Sequence, residues 1–582
     1  MAYESGSRMR TNFLRVVALA ALAGHAVTAG VQATTFTDVT GDSGIDYIQW
    51  DRNVWIPEQT GQDVHIMTGG AAAADYDNDG WTDLFVTRMG QPDILYRNRG
   101  DGTFEDKSLD AGFTTALPTN GAAWADVDND GDPDLYVSGV NTPQHYLYIN
   151  DGQGHFSEQA IARGADIPSV DRYGMSVAVG DYDRDGYLDL HTNHWGHGLG
   201  GTQAARLLHN RGATQPGYFD DVTNVAKVSL ANVPAHSNAG PLRGVFSFTS
   251  RLTDLDDDGW ADLVITGDFH TSRIFWNNGD GTFTDGTKDA GVGSDENGMG
   301  SAVGDYDGDG DLDWFITSIY DERNACDGRT CAWGVTGNRL YRNEGERVFS
   351  DATTDADVRD GGWGWGTAFV DYDHDGDLDL VQTGGYDQSH MEFDEPFNDQ
   401  PLQLFRNDGG VYSEVATDEG MTGSGSGKGL LTLDYDNDGD MDIFVVNNQG
   451  QPFLYRNDTN GTAAWLQIDT VGTLSNRDGI GARIELDPDS STVGDEIVRH
   501  VSGGSHFLAQ SEFLAHFGLN DHNDPIDLIR ITWPSGTVQE LTDIPVNQRL
   551  YVTEVPAPAT GVVLLTGAMV IMIRTRRIRD HA

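Results

Sequence analysis

One ten-residue string occurs seven times along this chain, and no other feature restricts the possible folds as strongly. Each copy has Asp at positions 1, 3, 5 and 9, Gly at position 6 and a hydrophobic residue at position 10. Such self-similarity is the sequence signature of a repeat architecture made of stacked units. The copies are DYDNDGWTDL, DVDNDGDPDL, DYDRDGYLDL, DLDDDGWADL, DYDGDGDLDW, DYDHDGDLDL and DYDNDGDMDI, starting at Asp75, Asp126, Asp181, Asp254, Asp305, Asp371 and Asp434.

The spacing of the aspartates predicts a calcium site in every copy, up to seven Ca²⁺ ions in all. Side chains at positions 1, 3 and 5 turn inward, the glycine permits a sharp bend, and the carbonyl of residue 7 and Asp at position 9 complete an all-oxygen cage. Mg²⁺ fits less well because it demands strict octahedral geometry. The predicted ligands at positions 1, 3, 5, 7 and 9 are Asp75, Asp77, Asp79, Trp81 and Asp83; Asp126, Asp128, Asp130, Asp132 and Asp134; Asp181, Asp183, Asp185, Tyr187 and Asp189; Asp254, Asp256, Asp258, Trp260 and Asp262; Asp305, Asp307, Asp309, Asp311 and Asp313; Asp371, Asp373, Asp375, Asp377 and Asp379; and Asp434, Asp436, Asp438, Asp440 and Asp442.

An EF-hand loop begins in the same way, but it needs a bidentate Glu at position 12 and flanking helices. Position 12 carries no carboxylate in any copy. The residues after position 9 are β-branched and aromatic, as in Leu84-Phe85-Val86, which indicates a strand. The predicted Ca²⁺ loop therefore joins two strands.

Two further strands complete each unit. One is aromatic-rich and ends in Asn, as in Leu95-Tyr96-Arg97-Asn98, and the other starts with an aromatic residue, as at Phe104. Only six of these last strands follow the loops, and the seventh is Phe36-Thr37-Asp38, ahead of the first loop. Four strands per unit with an offset terminus predict an all-β fold, a seven-bladed β-propeller whose first strand closes the last blade and so protects the sheet edges.

This pattern resembles the FG-GAP/VCBS repeats of integrin-α-like calcium-binding propellers, and the propeller is expected over residues 34–460. The following strings, Asn476-Arg477-Asp478-Gly479, Ser502-Gly503-Gly504-Ser505 and Trp533-Pro534-Ser535-Gly536, resemble the ASPIC/UnbV domain, found after such propellers in the cartilage acidic protein family. Alternation such as Ile529-Arg530-Ile531 predicts that residues 461–554 form a small β-rich, sandwich-like domain.

The two ends of the chain are expected to direct its export. Residues 1–33 combine basic residues, an apolar run and a small-residue cleavage site, which predicts a signal peptide. Residues 555–582 resemble a PEP-CTERM sorting signal, which implies an exosortase-like processing enzyme, although Ala557 stands where that family usually has Glu. A retained short membrane anchor is the alternative, and membrane contact is expected only through this tail. The predicted location is extracellular or on the surface of the bacterial envelope.

Charge and cysteine content exclude several classes of protein. The formal net charge of −55 excludes a nucleic-acid binder that works through phosphate neutralisation. The two cysteines are too few for a Cys-based zinc or iron–sulfur site. In an oxidising compartment Cys326 and Cys331 are expected to close a small disulfide loop.

The lengths of the connections predict where a ligand binds. We call the strands of a blade A to D in chain order; the Ca²⁺ loop joins A to B, so the B–C and D–A loops emerge at the opposite end. The long insertions all lie at that end, and binding function concentrates in long loops on a rigid scaffold. These insertions are His191–Gln203, Ile319–Asn338, Gly384–Leu402 and Lys227–Arg243.

Two residue groups near these insertions remain open to interpretation. His191, His194 and His197 either bind a transition metal or, by default, are solvent-exposed loop residues. Exposed tryptophans would stack on a sugar ring, whereas at least half of the candidates are expected to pack in the core. The tryptophans concerned are Trp50, Trp55, Trp363 and Trp365.

The sequence holds no recognised catalytic motif and no cofactor-binding motif. We therefore expect a secreted or surface-tethered calcium-binding propeller that is not an enzyme and that binds an extracellular protein or polysaccharide as an adhesion or matrix module. The alternative is a lectin or a polysaccharide-active enzyme that uses the end opposite the calcium loops.

Overall fold

The computed structural model describes residues 36–50, 64–140, 142, 144–167, 173–195, 205–230, 245–322, 334–386, 397–459, 462–492, 496–556 and 563–566. Within these residues the chain forms seven antiparallel sheets, each with the strands A to D in sequence across the sheet. The A strands of adjacent sheets contact one another in a closed ring around a central channel. The predicted seven-bladed propeller is confirmed.

The blades are numbered 1 to 7 in the order of their A strands. Their strands A to D are Ala71–Ala74, Asp83–Val86, Ile94–Asn98 and Phe104–Asp106; Leu117–Ala125, Asp134–Gly139, Tyr146–Asn150 and Phe156–Glu158; Gly174–Gly180, Asp189–His194, Arg206–Asn210 and Phe219–Asp221; Phe246–Thr253, Asp262–Asp268, Arg273–Asn277 and Phe283–Asp285; Ser301–Gly304, Asp313–Ile316, Arg339–Asn343 and Phe349–Asp351; Gly364–Val370, Asp379–Gly384, Gln403–Asn407 and Tyr412–Glu414; and Gly427–Leu433, Asp442–Asn447, Phe453–Asn457 and Phe36–Asp38.

Short additional elements lie between the blades. Met89–Gln91 pairs with the A strand of blade 2, and Gln400–Pro401 pairs with Ser424–Gly425. Single helical turns follow several D strands, and the all-β patterns of the sequence did not predict them. The α-helical turns are Thr40–Ser43, Ser108–Ala111, Ala160–Arg163 and Thr287–Ala290, and the 3₁₀ turns are Val64–Met67 and Gly212–Thr214.

The N-terminal strand closes the ring as predicted. Phe36–Asp38 pairs antiparallel with Phe453–Asn457, with Phe36 opposite Asn457. The ring of Phe36 lies 5.7 Å from that of Tyr372 in blade 6. The first residues of the described chain thus complete the last blade, and the C strand of that blade is not left as an unpaired edge.

The strands are apolar because both faces of a blade pack against neighbouring blades. Leu84, Phe85 and Val86 are all fully buried, although successive side chains point to opposite faces of a strand. Between blades 1 and 2, Trp124 lies 6.3 Å from Phe85, ring to ring. Burial on both sides explains why these strands show continuous apolar runs rather than alternation.

Residues 462–556 form a second β-structure made of two sheets. The first has the order Leu514–Gly518, Trp465–Val471, Gln548–Thr553, and the second has the order Ile497–His500, Arg483–Asp487, Leu528–Thr532, Val538–Thr542, Val563–Thr566. Leu466 and Phe517 from the first sheet share one apolar core with Ile484, Ile529 and Ile531 from the second. This is the predicted sandwich-like domain, with the alternation predicted for Ile529-Arg530-Ile531.

Part of the C-terminal tail belongs to this sandwich. The backbone of Val563–Thr566 pairs in parallel with Gln539–Thr542 at the edge of the second sheet. The sequence places these residues in a sorting signal outside the fold. Val555 and Pro556 are also described, whereas the other residues of that tail and the predicted signal peptide lie outside the described residues. Among the described residues, no helix has the length and apolarity needed to cross a bilayer.

Candidate metal centres

The seven A–B loops share one backbone conformation. Position 4 is left-handed in every loop, with φ of 58° at Asn78, 55° at Asp257 and 73° at Gly308. The glycine at position 6 has φ between 87° and 98° in all seven loops, a conformation that costs a residue with a Cβ free energy. The sharp bend predicted for position 6 is therefore present, and position 4 supplies a second bend that the sequence analysis did not assign.

The aspartates at positions 1 and 9 stabilise the shape of each loop by hydrogen bonds to backbone N–H groups. In blade 3, Asp181 accepts hydrogen bonds from the N–H groups of Asp185 (3.1 Å) and Gly186 (3.0 Å). Asp189 accepts from the N–H of Tyr182 (3.2 Å) and from the N–H of Asn210 (2.8 Å). Because a carboxylate oxygen has two lone pairs, each of these oxygens keeps one for a further partner.

The aspartate at position 3 of the loop has a carboxylate oxygen without a hydrogen-bond partner in most blades, among the described residues. In five of the seven blades its buried Oδ1 has no hydrogen-bond partner among the described residues. In blades 1 to 4, ligand atoms from positions 1, 3 and 9 lie within 4.8 Å of one another, the spread expected for oxygens around one Ca²⁺ at about 2.4 Å. The donor set is entirely oxygen, which a hard divalent cation prefers, so the residues fit Ca²⁺. The five third-position residues are Asp77, Asp128, Asp183, Asp373 and Asp436.

Clustering changes the acidity of these carboxyl groups. Burial, followed by the neighbouring carboxylates Asp183 and Asp181, raises the pKa of Asp189 well above its usual value. Burial, with smaller contributions from Asp307 and Asp305, raises the pKa of Asp313 to about 9. Shifts of this sign arise because burial disfavours the charged carboxylate and neighbouring like charges add to this effect, and a bound cation would offset both.

Basic side chains partly neutralise the loops of some blades. The Arg97 guanidinium contacts Asp77 (2.6 Å) and also Asp79, and Arg163 lies 3.1 Å from Asp128. In blade 3, Nε2 of His209 lies 2.7 Å from Asp183. In each case the pairing uses Oδ2 of the third aspartate, so its Oδ1 stays available.

The Asn that recurs at the end of every C strand joins neighbouring blades by hydrogen bonds, a role that the sequence did not predict. Asn277 in blade 4 donates from Nδ2 to the carbonyl of Tyr182 in blade 3 (2.8 Å) and to that of Ala261 (2.9 Å). The same bond to position 2 of the preceding blade's loop recurs seven times and closes a ring. The donors are Asn98, Asn150, Asn210, Asn277, Asn343, Asn407 and Asn457.

We call the end of the propeller that carries these loops the loop end. The C-terminal domain lies on it and contacts the loops directly. In blade 7, Gln467 donates to Oδ2 of Asp434 (2.9 Å), and Glu512 accepts the backbone N–H of Asp434 (2.7 Å). In blade 6, the N–H of Gly518 donates to Oδ2 of Asp371 (2.8 Å).

The remaining loops are contacted in the same way. In blade 2, the carboxylate of Asp478 accepts the N–H of Asp126 (2.9 Å). Arg483 bridges blades 4 and 5, because it donates to Asp257 (3.1 Å) and to the carbonyl of Gly310 (3.1 Å). Blade 3 is reached by a bond from Arg184 to the carbonyl of Pro534, and blade 1 by a bond from Thr82 to Glu512.

A loop of the C-terminal domain, residues 502–511, enters the central channel, and we call it the plug. Ala509 and Gln510 pair in parallel with Ala71 and Ala72 of blade 1. Hydrogen bonds join the plug to five other blades, and ring contact with Trp365 (5.0 Å) joins Phe507 to blade 6. The propeller partners in those hydrogen bonds are Ala122, Trp124, Ser176, Val179, Arg251, Ser301 and Thr432.

The channel is just wide enough for this backbone. A Cβ on Gly504 would lie 2.6 Å from Cγ of Arg251, and a Cβ on Gly300 would lie 2.9 Å from the carbonyl oxygen of His506. Leu508 at the tip has φ of 57°, which is unfavourable for a non-glycine residue and persists only where the surroundings determine it. The Gly503-Gly504 pair of the sequence motif thus permits close approach.

We call the opposite end of the propeller the far end. Two expectations about its histidines, exposure in a loop and binding of one metal, are wrong. His191 and His194 are buried in strand B of blade 3, not in an exposed loop. They are three residues apart in a strand and so face opposite sides, where His191 contacts Ser250 and His194 contacts His145; together they cannot bind one metal. His197 lies outside the described residues.

Most of the predicted ligand end is not described. Trp50 and Trp365 are 3% and 1% exposed and pack in the core, so they offer no sugar-stacking face. Trp363 is partly buried and stacks on Tyr386 at 4.2 Å between ring centroids. Trp55, the predicted Cys326–Cys331 disulfide and most of the four long insertions (residues 196–203, 231–243, 323–333 and 387–396) lie outside the described residues.

Comparisons with known families agree with this architecture. The FG-GAP-like repeat family matches residues 75–137, 138–192, 254–316 and 328–381, and the ASPIC and UnbV family matches residues 472–559. Two solved structures with low similarity are a lectin of Agrocybe aegerita that recognises non-reducing terminal N-acetylglucosamine (TM-score 0.37, 18% identity, 67% of this chain and 93% of that chain) and YCF48 bound to D1 peptide (TM-score 0.36, 11% identity, 72% and 99%). Scores this low carry no argument about function.

Curated relatives give the same result from sequence. The chain is 25% identical over 289 residues to cartilage acidic protein 1 of Mus musculus, covering 48% of this chain and 40% of the relative. It is 29% identical over 189 residues to the Homo sapiens protein, covering 32% and 26%. The match thus spans less than half the length of these relatives. With its FG-GAP-like repeats and its ASPIC and UnbV domain, the chain is a distant homologue of cartilage acidic protein 1.

Proposed function

We propose that the protein is an exported, calcium-stabilised propeller that binds a protein or polysaccharide of the extracellular matrix or cell surface. The observation that carries the proposal is the repeated carboxylate cluster, in which the position-3 aspartate of five blades has a buried oxygen with no hydrogen-bond partner among the described residues. Positions 1, 3, 5 and 9, with the carbonyl of position 7, would hold one Ca²⁺ per blade. Such an ion supplies positive charge that keeps a ring of acidic loops in one conformation.

Two further observations support an extracellular role. The relatives are named cartilage acidic protein, and cartilage is a tissue made largely of extracellular matrix. The chain itself is strongly acidic, with a formal net charge of −55. Ca²⁺ sites of modest affinity suit the millimolar Ca²⁺ outside cells.

The far end is the proposed ligand surface. The loop end is occupied at its centre by the C-terminal domain, whereas the strand ends that flank the long insertions lie at the far end. Uneven loops on a rigid ring are the usual place for recognition. The ligand class follows from this position and from the proposed location, not from any single side chain.

The proposal is tested by measuring binding of the full, Ca²⁺-loaded protein to matrix proteins and to arrays of acidic and neutral glycans. We expect saturable binding that is lost when Ca²⁺ is chelated and is unaffected by substitutions on the outer D strands. Turnover of a polysaccharide, abolished by an Asp→Asn substitution outside the loops, would instead establish the enzyme alternative.

Export is tested separately by mass spectrometry of the protein from its native host. A mature chain that begins after residue 33 and ends near residues 556–560 is expected, in the medium or on the cell surface. An intact Ala582 on cytoplasmic protein would contradict the proposed location.

A further inference from the structure

We propose that the ring of calcium loops is a docking surface for the chain's own C-terminal domain, and that Ca²⁺ is required for this domain to dock and for its plug to stay in the channel. The inference rests on the calcium sites proposed above. It goes further because it assigns the ions a second task, which is to control an interdomain interface.

The first argument is geometric. The contacts of the C-terminal domain are made to atoms whose positions depend on the shape of the cage: Oδ2 of Asp371, and Oδ2 and the backbone N–H of Asp434. The carbonyl of Gly439, at position 6 of the same loop, lies 3.2 Å from Nε2 of His516. A loop that relaxes when its carboxylates repel one another moves all of these atoms together.

The second argument concerns charge. The C-terminal domain brings two carboxylates, the half-buried Asp478 and the buried Glu512, against loops that are themselves acidic. Glu512 is partly compensated by Arg549 at 3.4 Å. A divalent cation in the adjacent cage lowers the local negative charge by two, and this reduces the repulsion that opposes docking of these two residues.

Basic residues of the C-terminal domain, in contrast, are attracted to the acidic loops. Arg483 contacts Asp257, and Arg499 lies 3.7 Å from Asp371, so these two favour docking whether or not metal is bound. Their hydrogen bonds also use the carbonyls of Gly310 and Gly376, which keep their positions only while the loops keep their bend. The shape of the loops therefore decides whether Ca²⁺ favours docking, and the C-terminal domain docks only when the loops hold Ca²⁺.

Because the plug lies away from the calcium loops, it reports the coupling between Ca²⁺ binding and docking at a distance from the metal. Phe507 at its tip packs on Phe248 (5.7 Å) and Trp365 (5.0 Å) in an apolar cluster that also contains Met175 and Met299. When the domain leaves the loop end, this backbone and this ring leave the channel. Linkage requires the converse as well, because a change that weakens the plug must weaken Ca²⁺ binding by the same factor.

The first experiment follows hydrogen exchange of residues 502–511 in the full chain, in Ca²⁺ and after chelation, while calorimetry measures Ca²⁺ binding on the same sample. We expect exchange of this peptide to speed up at least tenfold on chelation, with a smaller change in the outer D strand Phe283–Asp285. Equal protection in both conditions, in a protein that binds Ca²⁺ by calorimetry, overturns the docking inference alone. Absence of any Ca²⁺ binding overturns the proposed sites as well.

The second experiment uses linkage. Phe507→Ala is expected to weaken Ca²⁺ affinity at least fivefold, within the usual range of coupling between two sites. Phe246→Ala is the matched control, because Phe246 lies two residues from Phe248 on the same strand but packs on Trp195 and Phe269. Its affinity should change less than twofold. Unchanged affinity in folded Phe507→Ala contradicts the coupling, and if that variant does not fold, the exchange measurement on the unmodified chain decides.

Discussion

The loop end and the far end of this propeller follow different rules. At the loop end every blade presents the same loop, with the same left-handed residue at position 4, and a second domain lies across the ring. At the far end the connections differ from blade to blade in length and composition. Identical loops suit one shared task, and uneven loops suit recognition of an irregular partner, so the comparison separates stabilisation from binding.

The comparison predicts that removal of Ca²⁺ has the largest effect. A single site at one hundred times its Kd stabilises the folded state by about 2.7 kcal/mol, so several sites together should raise Tm by on the order of 10 °C or more. The measurement is thermal unfolding in millimolar Ca²⁺ and in excess chelator. Mg²⁺ at the same concentration is the control and should restore much less, and equal Tm in all three conditions would contradict the role assigned to the loops.

Next in size is the effect of breaking the interdomain contact at Glu512. Glu512→Ala removes the acceptor for Thr82 and for the backbone N–H of Asp434, both at 2.7 Å, and leaves Arg549 without this partner. Loss of one member of a buried charged network costs about 3 kcal/mol. Denaturant unfolding in saturating Ca²⁺ measures it, and Glu496→Ala, at an exposed position of the same domain, should be near neutral.

The asparagine ring gives a smaller effect of the same kind at the loop end. Asn277→Ala leaves the carbonyls of Tyr182 and Ala261 without these donors, which costs about 1–3 kcal/mol for buried groups. Asn278 is the matched control, because it is exposed and its side chain has only local partners, Thr282 and Thr284, among the hydrogen bonds of the described residues. If the asparagine ring stabilises the propeller, Asn277→Ala lowers the free energy of unfolding clearly and Asn278→Ala hardly changes it. Similar values for the two variants would show that the ring does not contribute.

The smallest predicted effect lies toward the far end and depends on pH. Burial lowers the pKa of His145 to about 3, so the folded state keeps this ring neutral while the unfolded chain is protonated near pH 6.5. Stability is therefore fully present above about pH 6.5 and is lost as pH falls below it, by about 1 kcal/mol at pH 5.5. In excess Ca²⁺, His145→Gln should lose that much less stability than the parent between pH 7 and 5.5.

Exposed His155 provides the control for this prediction. Its side chain is 61% exposed and lies 3.4 Å from Asp151. His155→Gln should follow the parent's pH dependence closely. If His145→Gln does so too, burial of His145 does not contribute to acid sensitivity.

The sequence predicted the propeller well because its signals are local. Alternating aspartates, a glycine and a following β-branched run define each loop and its B strand, and seven copies fix the number of blades. The offset strand at Phe36 predicted how the ring closes, and the observed pairing with Phe453–Asn457 confirms it.

What the sequence did not predict depends on contacts between distant parts of the chain. The Asn at the end of each C strand was recognised, but its partner lies in the preceding blade, and for Asn98 this is Tyr435 on the other side of the chain closure. Ser502-Gly503-Gly504-Ser505 was recognised only through a family resemblance, and its sequence does not show that the glycines allow the plug to pass close to the channel wall. His194 was expected in a loop because the spacing between repeats placed an insertion at His191–Gln203. Strand B instead continues to His194, and the polar side chain of Asn193 is accommodated there by bonds to Ser176 and Ser250.

The central claim is that the repeated loops hold Ca²⁺, and counting the ions tests it most directly. The full chain, freed of metal and then equilibrated by dialysis against millimolar Ca²⁺, is analysed for bound calcium per protein. The account predicts one ion for each of the seven repeats. The number of bound ions should fall by about one when the aspartate at position 3 of a single loop, such as Asp436, is changed to Asn. A protein that binds no more than one Ca²⁺ per chain under these conditions would contradict the account.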